Sequence, residues 1–241
     1  MPDTLTPEQE ARLEAEVWAL EGVANQHKQN GDLEQSYRAS RQALANMEVM
    51  FGPIDNHVAC FLQGFGSTLY HDEHFEEGEA MCLRAITIYE ALHGPVHLEV
   101  AGALTWLGYR YDDWERYEMS VPVYRRALAI EETICGKYSS EAQTTCVWLG
   151  DAYVQLSQYA QAEPYFKRAI LIGRTRLAID GPWLLALTQE RLAGMLFRLK
   201  RYAEALAAYA DVLALNDGKF QWKQSRRRFN LCRARCTSGT E

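Results

Sequence analysis

A pattern that recurs every 42 residues constrains the fold of this chain more than any other feature of its sequence. A Leu/Phe-Gly-x-x-aliphatic-or-Tyr motif occurs three times, with its glycines at Gly66, Gly108 and Gly150. Three further markers keep the period: an alanine, a glycine that begins a turn, and an aromatic residue or leucine. They are Ala43, Ala85, Ala127, Ala169; Gly52, Gly94, Gly136; and Leu33, Phe75, Tyr117, Tyr159. A fixed period of this kind indicates a repeat protein.

Each copy of the repeat has the residues expected of a helical hairpin. Glycine and alanine allow two helices to approach closely, leucine and aromatic residues fill the seam between them, and glycine after the second helix ends it. Thr6, Pro7 and Gln9 predict a capped start for the first helix. The predicted hairpins cover residues 7–51, 55–93, 97–135, 139–178 and 183–216, and a final helix covers about 219–236. The first and last copies are degenerate, as expected at the ends of a repeat array.

The final helix differs from the rest of the chain in charge. From Lys219 onward there are seven Lys/Arg residues and one acid, although the whole chain has a net charge of −7. The apolar stripe of this helix predicts that it covers the last hairpin, and it consists of Trp222, Phe229, Cys232 and Cys236. We therefore expect a repeat domain over residues 1–218 and a basic capping helix and tail over 219–241.

The Leu-Gly-x-x-Tyr and alanine markers resemble the tetratricopeptide repeat (TPR) family. The period and the link Gly94-Pro95-Val96-His97 resemble the longer repeat of kinesin light chain-like proteins. The resemblance covers roughly residues 17–216. It implies an all-α, right-handed superhelical solenoid of about five hairpins, which grips an extended peptide along a concave groove lined by the first helices.

Two departures from the family pattern limit what the resemblance implies about specificity. Kinesin light chain-like repeats commonly carry paired asparagines before the leucine of the first helix, where this chain has Gln63-Gly64, Thr105-Trp106 and Val147-Trp148. The Lys/Asn/Arg set that holds a C-terminal carboxylate in chaperone-binding members is also missing. We therefore carry over neither cargo specificity nor chaperone-tail binding.

A helical wheel places one set of residues on the groove side of the first helices, opposite the repeat markers. The predicted peptide-binding residues are Gln63, Ser67, Tyr70, Trp106, Tyr109, Asp113, Trp148, Asp151, Gln155 and Arg191. Aromatic side chains dominate binding hot spots, and carboxylates favour a positive partner. The sequence therefore predicts a partner peptide with Lys/Arg and an apolar anchor. The alternative is that Trp106 and Trp148 pack between repeats and contact no ligand.

We expect no catalytic site, cofactor or metal. The sequence contains no glycine-rich phosphate loop, no Gly-x-Ser-x-Gly elbow and no His-Glu-x-x-His motif. His71 and His74 straddle a predicted turn, and the six scattered cysteines include no Cys-x-x-Cys pair, so we expect mostly buried, reduced thiols.

Two alternatives to a peptide-binding scaffold remain open. One is a homo-oligomerisation module that uses exposed repeat ends or the last helix. The other is a regulatory binder of nucleic acid or an anionic surface through Arg226, Arg227 and Arg228. A solvated helix face is the favoured interpretation of these arginines, so nucleic acid is not the expected partner. The first residues do not resemble a secretory signal and no stretch is long enough to span a membrane, so we expect a cytoplasmic protein.

Overall fold

The computed structural model describes residues 5–215 and 223–237. Within those two ranges the chain forms eleven α-helices and no β-strand. The helices are α1 (Pro7–Gln29), α2 (Leu33–Phe51), α3 (Asn56–His71), α4 (Phe75–His93), α5 (Leu98–Asp113), α6 (Tyr117–Ile134), α7 (Ser140–Gln155), α8 (Tyr159–Asp180), α9 (Trp183–Arg198), α10 (Tyr202–Ala214) and α11 (Lys223–Thr237). Five hairpins followed by one helix confirm the predicted all-α repeat fold. Trp222, the predicted start of the last helix and the predicted domain boundary at 218/219 lie outside the described residues.

The helices form two compact units. Unit 1 is Met1–Ala103 and unit 2 is Leu104–Glu241, so the division falls inside α5. In unit 1, α2 packs on both α1 and α3, and α3 packs on α4. In unit 2, each helix from α6 to α11 packs on the next one in sequence. Nearest-neighbour packing of this kind is how a repeat buries an apolar face that one hairpin alone would leave in water.

The marker glycines allow an aromatic ring to lie directly on the first helix of a hairpin. A Cβ atom at Gly108 would lie 2.5 Å from Cε1 of Tyr124, and one at Gly150 would lie 2.5 Å from Cε1 of Phe166. Both rings are fully buried. The marker alanines, represented by Ala127 on α6, are also fully buried. The predicted role of these small residues in close helix packing is therefore confirmed.

The turn inside every hairpin has the same backbone geometry although its sequence varies. The residue two before each second helix adopts the left-handed conformation, with φ between 57° and 78°. These residues are Gly31, Glu73, Glu115, Ser157 and Lys200. The next amide donates back to the first helix, as when His74 N–H donates to the carbonyl of Leu69 over 2.9 Å. This pattern is a Schellman-type helix end.

The last helix, α11, packs on α10 as the capping prediction requires. Ser225 and Cys232 are fully buried, and Phe229 is half-buried against the core of unit 2. Cys236, predicted to belong to the same stripe, is exposed. The buried stripe of α11 is therefore shorter than the sequence suggested.

All six cysteines are free thiols, but they are not mostly buried as expected. Cys82, Cys146 and Cys232 are buried, whereas Cys60, Cys135 and Cys236 are exposed. Burial raises the pKa of Cys146 to about 12, so this thiol stays protonated and acts as a small apolar side chain.

Candidate functional site

In unit 1, the predicted groove residues lie on α3 and are largely occupied by packing. Gln63 is half-buried, and its Oε1 accepts a hydrogen bond from the hydroxyl of Tyr89 over 3.2 Å. Ser67 is half-buried. Tyr70 is only 6% exposed and lies against Gly78 and the ring of Phe75. Tyr70 therefore belongs to the hairpin core, and the expectation that it faces a partner does not fit its position.

In unit 2, two aromatic side chains on α5 form an exposed platform. Trp106 is 38% exposed and Tyr109 is 40% exposed, and their ring centroids are 6.2 Å apart. The guanidinium carbon of Arg110 lies 4.6 Å from both centroids, at cation–π distance. Arg110 is itself buried and lies 3.2 Å from the carboxylate of Asp113. A buried cation therefore holds both rings in place while their other surfaces remain open to a partner.

Tyr124 links this platform to α7. Its hydroxyl donates a 2.8 Å hydrogen bond to Oδ2 of Asp112, and its ring stacks on Trp148 with centroids 5.8 Å apart. Trp148 is half-buried and packs against the core of unit 2. Burial raises the pKa of Asp112, and interactions with the hydroxyls of Ser120 and Tyr124 oppose this increase. Trp148 thus combines the two interpretations of the sequence, with one part of its surface in the core and one part exposed.

Asp151 and Arg191 join α7 to α9. Oδ2 of Asp151 lies 2.6 Å from Nη1 of Arg191, and the side chain of Asp151 is 22% exposed. Burial raises the pKa of Asp151 to about 6, although Arg191 opposes this shift and Asp112 adds to it. Because Asp112 acts on Asp151, the acidic groups of α5 and α7 belong to one electrostatic cluster. Gln155, one turn after Asp151, is exposed.

A cavity of about 310 Å³ opens beside this ion pair, between α7, α9 and α11. Its charged and polar lining is formed by Asp151, Gln155, Glu190, Arg191, Arg198, Gln224 and Arg228. The hydroxyl of the buried Ser225 donates to Oε1 of Glu190. Gly194 forms part of the wall, where its missing side chain leaves space next to Arg228 and the hydroxyl of Tyr209. The cavity is therefore rich in arginine, whereas the neighbouring α5–α7 surface is aromatic and acidic.

The three consecutive arginines of the last helix have different surroundings. Arg226, Arg227 and Arg228 are all exposed, but only Arg228 belongs to the cavity lining. Arg228 reaches back to α9, where its Nη1 would lie 3.4 Å from a Cβ atom at Gly194. Its positive charge opposes the increase that burial causes in the pKa of Tyr209. The predicted basic tail therefore contributes one of its arginines to the cavity wall.

Comparison with known families assigns the repeat. Models described as tetratricopeptide repeat match residues 57–133 and 144–172. The chain contains tetratricopeptide repeats (TPRs) over these residues. Such repeats generally serve as protein-interaction scaffolds. No curated protein is significantly similar to this TPR chain in sequence.

Solved structures share this TPR fold at low sequence identity. BtubC (BKLC) from P. vanneervenii has a TM-score of 0.67 at 16% identity, and the match covers 91% of this chain and 95% of that one. A putative kinesin light chain from Podosopora anserina with nearly identical TPR-like repeats also has a TM-score of 0.67, at 14% identity, with coverages of 88% and 99%. The apo form of RapI has a TM-score of 0.65 at 15% identity, with coverages of 84% and 70%. These similarities confirm the predicted likeness to kinesin light chain-like repeats in fold.

Arg110 and Tyr124 hold the aromatic side chains of this surface in place, and neither was predicted from the sequence. Arg110 precedes the marker tyrosine by one residue and has no signal in the repeat pattern. Tyr124 lies on a second helix, whereas the predicted groove residues all lie on first helices. The 42-residue spacing from Tyr124 to Phe166 was the available signal, since both follow a marker glycine by 16 residues.

In residues 5–215 and 223–237, no helix combines the length and apolar character needed to cross a membrane.

Proposed function

We propose that the surface of unit 2 formed by α5, α7 and α9 binds an extended peptide that carries an apolar anchor beside a lysine or arginine. The single observation that carries the proposal is the immobilised, exposed pair Trp106 and Tyr109. Rings that are ordered before binding lose little entropy when a partner covers them. An exposed aromatic pair with a buried cation beneath it is a costly arrangement for a surface with no ligand.

The preference for a positive residue follows from the neighbouring carboxylates. Asp112 interacts with the neutral hydroxyls of Ser120 and Tyr124, whereas Asp113 and Asp151 lie close to arginines. Asp112 is thus the least compensated acid of the cluster. A lysine or arginine of the partner that lies near it would gain a favourable electrostatic interaction. Trp148 lies on the adjacent helix and offers a second apolar contact.

Display of random peptides provides the direct test. Selection on the intact protein is expected to enrich sequences with an aromatic or aliphatic residue next to Lys/Arg. Trp106→Ala should weaken binding of the enriched peptides at least about tenfold. A tenfold change corresponds to about 1.4 kcal/mol, and aromatic residues at the centre of an interface commonly contribute this much or more. Circular dichroism must show unchanged helicity.

Tyr138→Ala is the matched control, because Tyr138 is an aromatic residue of unit 2 that is 60% exposed but lies in the turn before α7. Its loss should leave binding within about twofold. If selection enriches no common sequence, or if Tyr138→Ala weakens binding as much as Trp106→Ala, the proposal fails. A concentration-dependent mass with no peptide enrichment would favour the self-assembly alternative.

A further inference from the structure

Among the described residues, two arginines of the cavity between α7, α9 and α11 have no carboxylate partner. The carboxylate of Asp151 is paired with Arg191, and that of Glu190 accepts the hydroxyl of Ser225. Among the residues that the structure describes, neither Arg198 nor Arg228 forms an ion pair. Both arginines line the same cavity. The wall therefore presents two guanidinium groups whose charge is not balanced locally.

The geometry of the wall leaves room for a ligand between these groups. Gly194 has no side chain, and a Cβ atom there would lie 3.4 Å from Nη1 of Arg228 and 3.8 Å from the hydroxyl of Tyr209. Tyr209 is fully buried, so its ring is fixed behind Gly194. Gln155 and Gln224 add amide groups to the same lining. A planar oxyanion fits this arrangement, because guanidinium groups bind carboxylates through parallel hydrogen bonds.

The charge of the lining favours a carboxylate over a phosphate. Arg191, Arg198 and Arg228 face two acids, Asp151 and Glu190, so the cavity has one excess positive charge. One carboxylate neutralises that excess. A dianionic phosphate would add a second negative charge beside the two acids of the wall, where like charges repel.

We propose that this cavity is a carboxylate-binding subsite, in which Arg198 and Arg228 hold an acidic side chain or the terminal carboxylate of the bound peptide. The identification of the ligand as part of a peptide rests on the function proposed above, but the affinity of the cavity for carboxylate does not. Together the two sites give the partner a polarity: its apolar and basic residues contact α5 and α7, and its acid contacts α9 and α11.

Nuclear magnetic resonance titration of the full chain with small probes tests the subsite. N-acetyl-glutamate amide carries only a side-chain carboxylate, and N-acetyl-alanine carries only a terminal one. At constant ionic strength, at least one probe should shift the Gly194 amide and the arginine Nε–Hε signals in a saturable manner. The probe that saturates identifies the source of the carboxylate, and saturation by both means that the cavity accepts either.

Matched variants separate the subsite from general charge. Arg228→Gln should weaken probe binding at least about tenfold, as expected for one charge-assisted contact of about 1.4 kcal/mol. Arg227→Gln has the same net charge on the same helix and should change it less than about twofold. Arg198→Gln gives a second test, since this side chain forms no ion pair among the described residues and its loss should not disturb folding.

The proposal is overturned if neither probe saturates, if Arg227→Gln weakens binding as much as Arg228→Gln, or if inorganic phosphate saturates while both carboxylates fail. Displayed peptides distinguish this outcome from failure of the proposed function. Selected peptides with an apolar–basic motif but no saturable probe binding would remove the subsite alone. Saturable probe binding without any enriched peptide would leave the subsite and remove the peptide-binding function.

Discussion

The hairpins α3–α4 and α5–α6 place their interhelical tyrosine on opposite helices. In α3–α4, Tyr70 of the first helix lies on Gly78 of the second, where a Cβ atom would be 3.0 Å from the tyrosine Cδ2. In α5–α6, Tyr124 of the second helix lies on Gly108 of the first. Each of these two glycines leaves space for one ring. The glycine and the ring that it accommodates therefore lie on different helices of the hairpin.

The helix that supplies the tyrosine determines whether one position of the first helix is part of the core or can carry a charged group. The residue 42 positions after Tyr70 is Asp112, and the one 42 after Gly78 is the fully buried Ser120. Since Ser120 leaves no gap for a ring, the first-helix position is free to carry a carboxylate, which the Tyr124 hydroxyl then binds. The framework of the two hairpins is the same, but only the second has an acid beside its exposed aromatic pair.

Adding one methyl group at Gly108 should destabilise the α5–α6 hairpin severely. In Gly108→Ala the new Cβ would lie 2.5–2.8 Å from three ring atoms of Tyr124, which is fully buried and has no space to move into. Overpacking of this kind should lower the free energy of unfolding by about 2–3 kcal/mol. Urea unfolding followed by circular dichroism measures the loss.

Gly102→Ala is the control on the same helix, because no atom lies within 4 Å of a Cβ atom there. It should instead raise stability by about 0.5–1 kcal/mol through the better helix propensity of alanine. Equal losses in the two variants would show that the Tyr124 contact is not what requires glycine.

The repeat arrangement was predictable because each marker has a steric reason that acts within one hairpin. Gly108, Ala127 and the helix-ending Gly94 report close contacts or a positive φ that alternatives satisfy poorly. The site was less predictable, because a helical wheel describes one helix without its packing partners. The wheel assigned Tyr70 and Trp106 to the same groove face, but Tyr70 is buried against the second helix of its hairpin whereas Trp106 is exposed.

Removing the Tyr124 hydroxyl should lower stability and change the titration of Asp112. Tyr124→Phe keeps the ring on Gly108 but deletes the 2.8 Å hydrogen bond to Asp112. A hydrogen bond to a charged group in a buried setting is worth about 1.5–3 kcal/mol, so unfolding should become easier by an amount in this range. Because that bond lowers the pKa of Asp112, its loss should raise this pKa further.

Carboxyl carbon chemical shifts as a function of pH measure the change at Asp112. Tyr153→Phe serves as the control, since Tyr153 is another buried tyrosine of unit 2 whose ring stacks on Tyr165. An unchanged Asp112 titration in Tyr124→Phe would contradict the assignment of its hydrogen bond.

Glu131 and Tyr89 make the same comparison on the second helices. They are 42 residues apart and both buried, but Tyr89 donates to Gln63 whereas Glu131 accepts from Thr145 over 2.9 Å. Within the described part of the chain, the other carboxylate oxygen of Glu131, Oε2, is buried without a hydrogen-bond partner. Burial raises the pKa of Glu131 above its ordinary value of 4.5, which the Thr145 bond opposes. The folded state therefore holds this proton more tightly than the unfolded chain does.

The sign of the pH dependence follows from that shift. The contribution of Glu131 to stability is fully present below pH 4.5 and is lost as pH rises through its raised pKa. Glu131→Gln cannot ionise, so it should be more stable than the parent chain at pH 7.5 by on the order of 1 kcal/mol, and the advantage should vanish near pH 4. Paired urea titrations at the two pH values test this. Glu118→Gln, an exposed position on the same helix, should show no such difference.

The smallest effect is expected at the turns, where the first hairpin differs from the others. Gly31 occupies the left-handed position with φ 78°, and Glu115 occupies the equivalent position in α5–α6 with φ 57°. A residue with a Cβ atom costs about 1–2 kcal/mol there, whereas glycine loses more chain entropy on folding. Glu115→Gly should therefore stabilise the protein by only about 0.5 kcal/mol, and Gly31→Ala should destabilise it by about 1 kcal/mol. Thermal unfolding of both variants decides the matter. If backbone strain dominates at this position, Glu115→Gly raises stability and Gly31→Ala lowers it. Loss of stability in both variants would mean that the Glu115 side chain stabilises the protein by more than its strained backbone costs.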